Sequence, residues 1–213
     1  MRRAFEVGGI VAAVVLIAFG IAAIVMGANG RSTVHENLLA QKIVGTPDMT
    51  PAGIKTEASK AGLDVSKLTI PSCSVANKTI NSGTTARCFA QYMTIHALEA
   101  TGGLLYSQMP RYATANGKGT NEESAALKGA NGRPAENTAR NVWVQETALS
   151  TALNTSYMAE QVSLFGIVMG IALLLSGIGF ATLAIGGALR NPDTALKFLT
   201  PRAPRVEPTP TAA

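Results

Sequence analysis

Two long apolar stretches enclose a polar middle segment in the pattern of this chain. Residues 7–28 and residues 162–189 contain no charged side chain. As helices rising 1.5 Å per residue they would measure about 33 Å and 42 Å, and the hydrocarbon core of a bilayer is about 30 Å thick. The pattern therefore predicts two transmembrane helices, the second of which is long enough to tilt.

The polar segment between them also shows helical patterning. Residues 135–161 contain neither Gly nor Pro and run directly into the second apolar stretch, which predicts one continuous helix. Residues 113–133 contain two Asn-Gly pairs and four glycines, which predicts a mobile loop. Stop and start signals predict further helices at 31–42, 51–61 and 86–101, and short strands at 68–70 and 104–106.

These elements predict a mainly α membrane protein. We expect an antiparallel two-helix transmembrane hairpin with long helical extensions and a small, disulfide-bridged extracytoplasmic domain. The predicted segments are a cytoplasmic N-terminus (1–6), the first span (7–28), the extracytoplasmic domain (29–161), the second span (162–189) and a Pro-rich cytoplasmic tail (190–213).

The placement of charge predicts the orientation of the hairpin. Six Lys and Arg residues flank the spans on the side of the two termini, whereas Arg31 and Lys42 flank the other side. By the positive-inside rule both termini are cytoplasmic. Arg2-Arg3 also fits a cleaved signal peptide, but the apolar run exceeds a signal's 7–15 residues and no Ala-x-Ala site ends it. An uncleaved anchor is therefore the favoured interpretation.

The middle segment carries almost no net charge. Residues 31–160 hold 12 Lys and Arg against 10 Asp and Glu. Nucleic-acid binding needs basic residues clustered on one face, so the composition argues against a nucleic-acid partner. The lipid bilayer is the partner that the composition favours.

Cys73 and Cys88 are the only cysteines in the chain. They lie 15 positions apart in the segment placed outside the membrane, where disulfides form and persist. We therefore predict a disulfide between them. A catalytic thiol or a metal pair is the alternative, but neither cysteine has ligand-like neighbours at close spacing.

Small residues recur at helical spacing on both apolar stretches. Such faces let membrane helices approach closely, which predicts pairing within the chain or association with a second membrane protein. The predicted packing residues are Gly20, Ala23, Gly27, Gly166, Gly170, Gly177 and Ala181.

The chain contains two histidines, His35 and His96. His96 and Glu99 lie three positions apart on a predicted helix, so both could face one metal ion, with His35 as a third ligand. Nothing in the sequence brings His35 to His96, and a partly buried helix histidine beside a surface glutamate is the favoured interpretation of the pair. We assign no catalytic, metal or cofactor-binding residue.

Trp143 is the only tryptophan in the chain. We expect it to pack the helix 135–161 against the domain that carries Cys73, Cys88 and Phe89. A role as a binding hot spot is the alternative, because tryptophan is enriched in such sites.

Four motifs resemble a family of two-span actinobacterial membrane proteins, over residues 1 to about 189. The resemblance implies a two-span membrane fold, and some members carry an automatic label as aromatic ring-opening dioxygenases; no catalytic residue is carried over. The motifs are Arg2-Arg3-Ala4-Phe5-Glu6, Val44-Gly45-Thr46-Pro47-Asp48-Met49-Thr50-Pro51, Ala86-Arg87-Cys88-Phe89-Ala90-Gln91-Tyr92 and Trp143-Val144-Gln145-Glu146-Thr147-Ala148-Leu149.

The expected function is that of a structural or accessory integral membrane protein without catalytic activity. It would associate with itself or with a larger membrane complex. The alternatives are an extracytoplasmic ligand-binding or envelope-sensing module and, less favoured, a metal-dependent oxygenase.

Overall fold

The regular secondary structure of this protein is helical throughout the described residues. The computed structural model describes residues 2–186, with side chains from Phe5 onward. Its α-helices are α1 (Arg2–Ala40), α2 (Pro51–Lys60), α3 (Gly83–Ala100) and α4 (Arg140–Ile185), and short 3₁₀ helices lie at Val65–Lys67, Tyr106–Gln108 and Glu123–Ala125. Within these residues β pairing is limited to isolated bridges, with no strand. The predicted mainly α class is confirmed.

Both predicted strands are wrong. Residues 68–70 follow a 3₁₀ helix, which begins where the Asp64 carboxylate accepts a hydrogen bond from the Ser66 amide. Residues 104–106 lead into another, where the Gln108 side chain accepts a hydrogen bond from the Leu105 amide. Periodicity cannot identify the structure of such short apolar runs, and neighbouring polar side chains select turns here.

The helix predicted over 135–161 begins later, at Arg140. The Ala135 amide donates to the Leu127 carbonyl over 2.7 Å, and the Asn137 amide donates to the Arg111 carbonyl over 2.9 Å. These backbone hydrogen bonds to the preceding segment keep residues 135–139 out of the helix. From Arg140, α4 is continuous into the second apolar stretch, as predicted.

Helices α1 and α4 are long and apolar enough to cross a membrane. In the 18-residue apolar window of each helix, only 17% of α1 and 11% of α4 is buried inside the protein. The core helix of a soluble protein would be mostly buried in such a window. The predicted spans 7–28 and 162–189 lie on these helices, except that residues 187–189, like the predicted tail 190–213, fall outside the described residues.

The chain divides into two compact units. Among the described residues the first unit comprises 2–27 and 165–186, where parts of α1 and α4 pack against each other. The second unit comprises residues 28–164. It contains α2, α3, the 3₁₀ helices and the remaining parts of α1 and α4.

The hydrophobic core of the second unit forms around α2 and α3, whose starts are set by capping side chains. Thr50 Oγ1 accepts a hydrogen bond from the Gly53 amide at the start of α2, as the sequence predicts. Ser82 and Thr85 form a capping box at the start of α3. The largest fully buried side chains are those of Met49, Ile54, Val75, Ile80 and Tyr92.

The segment 113–133 follows an irregular path defined by hydrogen bonds. Tyr112 and Thr120 exchange two backbone hydrogen bonds of 2.9 Å, and the Gly129 amide donates to the Arg133 carbonyl over 2.8 Å. The Tyr112 hydroxyl donates to Glu123 over 2.7 Å. The predicted mobility of this segment stays a prediction.

Candidate functional site

The predicted disulfide between Cys73 and Cys88 is confirmed. Cys88 lies buried on α3, and the bridge joins this helix to the loop that precedes it. The Tyr92 hydroxyl donates to the Cys73 carbonyl over 2.6 Å. Cys88 and Tyr92, one turn apart on α3, therefore both attach the loop to this helix. Closing a loop of this length stabilises a fold by about 3 kcal/mol on the chain-entropy model. The bridge therefore serves the stability of the second unit.

The structure brings the predicted small residues of α1 and α4 together within the first unit. A methyl group added at Gly170 would lie 2.7 Å from the Gly20 carbonyl oxygen, and one added at Gly177 would lie 3.0 Å from the Ala13 carbonyl oxygen. The two backbones therefore touch at these glycines. At these positions the small-residue face is used inside the chain, which is one of the two roles predicted for it.

The other predicted packing residues lie at or near the same contact. A methyl group at Gly166 would meet the Ala23 carbonyl oxygen at 3.7 Å and the Gly27 Cα at 4.0 Å, which is ordinary van der Waals distance. Ala181 is half-buried. How much each residue contributes to helix packing stays a prediction.

The two histidines have different partners. His96 Nε2 lies 2.7 Å from Asp48 Oδ2, and His35 Nδ1 lies 2.6 Å from the Asn81 carbonyl oxygen. Among the described residues no cluster of three or more His, Cys, Asp or Glu side chains has the arrangement needed to hold a metal ion. The structure thus pairs His96 with Asp48, a partner that the sequence spacing did not indicate.

The carboxyl groups near His96 are shifted in opposite directions. Burial alone would raise the pKa of Asp48, but hydrogen bonds from Thr46 and His96 outweigh it and lower the pKa below its ordinary value of 3.8. Burial raises the pKa of Glu99 above its ordinary 4.5, and the nearby His96 offsets this only in part. Glu99 Oε1 is buried without a hydrogen-bond partner. Asp48 is therefore stabilised as an anion, whereas Glu99 is destabilised as one.

Trp143 packs α4 against α3, the helix that carries Cys88 and Phe89. Its ring lies in a cluster with Ala97 and Met109, and the indole Nε1 donates to the Leu104 carbonyl over 2.8 Å. Cys88 and Phe89 belong to a different cluster. Trp143 lies beside the end of α3 and these two residues lie near its beginning, so the expected packing of α4 against the domain that carries Cys73, Cys88 and Phe89 is confirmed.

An open cavity of about 560 Å³ lies beside Trp143, and we call it the α4 groove. Most of its lining comes from one side of α4. In the sequence, this side of α4 shows only as a short stripe of small and apolar residues next to Trp143, and that pattern does not indicate a cavity. The lining residues are Tyr106, Trp143, Val144, Thr147, Ala148 and Thr151.

A second cavity, of about 460 Å³, adjoins the α4 groove, and we call it the arginine pocket. Tyr106 and Val144 line both cavities, so the two lie side by side, and we refer to them together as the depression. Sequence reasoning missed this site because its residues come from distant parts of the chain. The remaining lining residues are Arg111, Glu136, Asn137, Arg140 and Asn141.

Aromatic rings position the two guanidinium groups of the pocket. The Arg140 guanidinium lies 4.1 Å from the centre of the Tyr106 ring, and that of Arg111 lies 5.2 Å from the centre of the Tyr112 ring. Within the described part of the chain neither arginine forms an ion pair. Arg140 Nε is buried without a hydrogen-bond partner. The depression therefore combines unpaired positive charge with an apolar wall.

Comparison of the chain with protein-family models, curated proteins and solved structures finds no match. The resemblance to the two-span actinobacterial proteins stays a prediction. The functional argument consequently rests on the geometry described above.

Proposed function

We propose that this protein is an integral membrane protein whose α1 and α4 form an antiparallel transmembrane hairpin. The exposure of the apolar windows on both helices supports this proposal, because side chains of this kind need lipid or protein cover. The glycine contacts support antiparallel pairing, since Gly20 meets Gly170 while Ala13, earlier in α1, meets Gly177, later in α4.

In this proposal the second unit is extracytoplasmic and both termini are cytoplasmic. The excess of Lys and Arg beside the termini supports this orientation. The Cys73–Cys88 disulfide supports it as well, because such bonds persist in oxidising compartments outside the cytoplasm. The hairpin then anchors a disulfide-stabilised unit at the outer surface of a bacterial plasma membrane.

The function that we propose is structural or accessory, without catalytic activity. The protein would associate with a second copy or with a larger membrane complex. The observation that carries this proposal is the outward face of α4, opposite the glycine contact. Phe165, Val168 and Leu175 are each more than half exposed there, at spacings of three and seven residues, and they make a continuous apolar stripe.

A photo-crosslinking experiment in membranes tests the accessory role. Benzoylphenylalanine placed at Leu175 should yield a discrete adduct with a second copy or with another membrane protein. The same residue placed at Ile24, beside Gly170, should yield adducts within the chain only. Absence of any protein adduct from Leu175, together with a monomer in mild detergent, would contradict the accessory role.

The second candidate function is extracytoplasmic ligand binding or envelope sensing. The α4 groove and the arginine pocket favour it, because ligand sites are typically concave, largely apolar and equipped with a few polar groups. Their volumes also fall within the range of small-molecule sites, about 300–1,000 Å³.

A further inference from the structure

We propose that the depression formed by the α4 groove and the arginine pocket binds a small organic oxyanion. Such a ligand carries a carboxylate or a phosphate on an apolar body. This inference goes beyond the accessory role and gives the second candidate function its ligand chemistry. It stands on the side chains of the second unit alone.

The arginine pocket supplies the recognition of the charged group. A guanidinium presents several N–H donors in a planar fork that matches carboxylate and phosphate oxygens. Arg111 and Arg140 both line the pocket, whereas one carboxylate, that of Glu136, does so. None of these three residues forms an ion pair within the described chain. The pocket therefore keeps a net positive charge.

The Arg140 side chain has an unmet hydrogen-bonding requirement. Its Nε is shielded from solvent but has no acceptor among the described residues, and a buried donor without a partner destabilises the folded state. The Tyr106 ring holds the guanidinium from one side. An oxyanion in the pocket, together with a rotation of the Arg140 side chain, would supply an acceptor to this guanidinium.

The backbone amides at the start of α4 are not free to donate to a bound oxyanion. The amides of Arg140, Asn141 and Val142 already donate to the carbonyls of residues 137–139. Recognition consequently depends on side chains, so that substitution of the arginines tests it directly.

The α4 groove supplies the contact with the apolar body. Trp143 is buried at its edge, and exposed Val144 and Ala148 continue the apolar wall along α4. Because Val144 and Tyr106 also line the arginine pocket, a ligand can reach both halves only if its charge lies at one end of an apolar body. This geometry selects amphiphilic anions over inorganic ions and over neutral apolar molecules.

The fluorescence of Trp143 provides the assay, because it is the only tryptophan in the chain. The full-length protein in neutral-lipid nanodiscs is titrated with 4-phenylbutyrate, phenyl phosphate and the uncharged 4-phenylbutyramide. Empty nanodiscs correct for partition into lipid, which favours the amide. We expect saturable binding of at least one anion and at least tenfold weaker binding of the amide. The two anions distinguish a carboxylate site from a phosphate site.

Matched variants locate the site. Arg140→Gln and Arg111→Gln should each weaken anion binding about tenfold, whereas Lys118→Gln, which removes the same charge from an exposed loop, should not. Ala148→Leu should fill the groove and weaken binding, whereas Ala152→Leu, one turn further along α4, should not. An unchanged emission maximum of Trp143 in the absence of ligand shows that each variant is folded.

Several results would overturn the inference. Equal affinity for the anions and the amide would remove the role of the arginines and leave an apolar groove. Absence of saturable binding by any of the three probes would remove the site altogether. Neither result bears on the accessory role, which the cross-linking at Leu175 tests separately.

Discussion

A methyl group at Gly170 should separate α1 from α4, whereas the same group at Gly179 should not. The Cβ of Gly170→Ala would lie 2.7 Å from the Gly20 carbonyl oxygen and 2.9 Å from the Ile24 amide nitrogen, both of which are backbone atoms. Ordinary van der Waals contact begins at 3.4 Å. The helix pair must therefore open by about 0.7 Å (3.4 − 2.7) to admit one methyl group.

The expected cost follows from that displacement. Overpacking of a well-packed contact costs about 1–3 kcal/mol. Replacing Gly by Ala also raises helix propensity, by up to about 1 kcal/mol, and this gain is shared by Gly179→Ala. At Gly179 an added methyl group meets nothing within 4 Å. The difference between the two variants thus isolates the clash, and we expect Gly170→Ala to be the less stable by about 1–3 kcal/mol.

Unfolding in mixed detergent micelles, with increasing fractions of a denaturing detergent and helix content followed by circular dichroism, measures this difference. Gly20→Ala, whose Cβ would lie 2.8 Å from the Gly170 carbonyl oxygen, should behave like Gly170→Ala. Equal stability of Gly170→Ala and Gly179→Ala would refute the direct backbone contact and, with it, the pairing of the two helices.

Three further predictions concern the second unit. Glu99→Gln should raise the melting temperature at pH 7, because the raised pKa makes the ionised carboxylate a cost to the folded state. Since the group is only partly buried and solvent screens its charge, the gain should not exceed about 1 kcal/mol. It should vanish as the pH falls below 4.5, and a gain that persists there would contradict the electrostatic cause. Thr94→Val should destabilise by about 2 kcal/mol in thermal melts, because the Thr94 hydroxyl donates over 2.7 Å to the buried Glu146. Thr56→Val should cost little, because the Thr56 hydroxyl donates only to the Ala52 carbonyl of its own helix; equal costs would contradict this role. Elemental analysis of protein purified in mild detergent should find no stoichiometric iron, zinc or manganese, because the His96 ring nitrogen Nε2 is paired with Asp48. One metal ion per chain that is lost in His96→Ala would instead support the oxygenase hypothesis.

The helical elements follow from local signals in the sequence. Absence of charge over 7–28 predicts a long apolar helix, because a helix is the simplest way to satisfy every backbone hydrogen bond in lipid. Thr50 and Pro51 predict the start of α2, since a hydroxyl cap and a proline at the first helical position both suit a helix N-terminus. The two cysteines of the chain leave a single possible disulfide between them.

The candidate site depends on contacts that no local signal reports. The arginine pocket joins Arg111 to Arg140 through the turns that return residues 135–137 to the preceding segment. Because of the same turns, α4 begins later than predicted. The absence of Gly and Pro from residues 135–161 does not reveal this later start. The partner of His96 is likewise distant, 48 positions away at Asp48. Periodicity describes one element at a time, so these long-range pairings require the folded structure.

Accessibility of the second unit from outside the cell tests the membrane account most directly. Both native cysteines are bonded to each other, so single cysteines at Thr120, in the second unit, and at Thr209, in the predicted tail, can be labelled selectively. We predict that a membrane-impermeant maleimide labels Thr120→Cys on intact cells and labels Thr209→Cys only after permeabilisation. Labelling of Thr209→Cys but not Thr120→Cys on intact cells would contradict the proposed orientation.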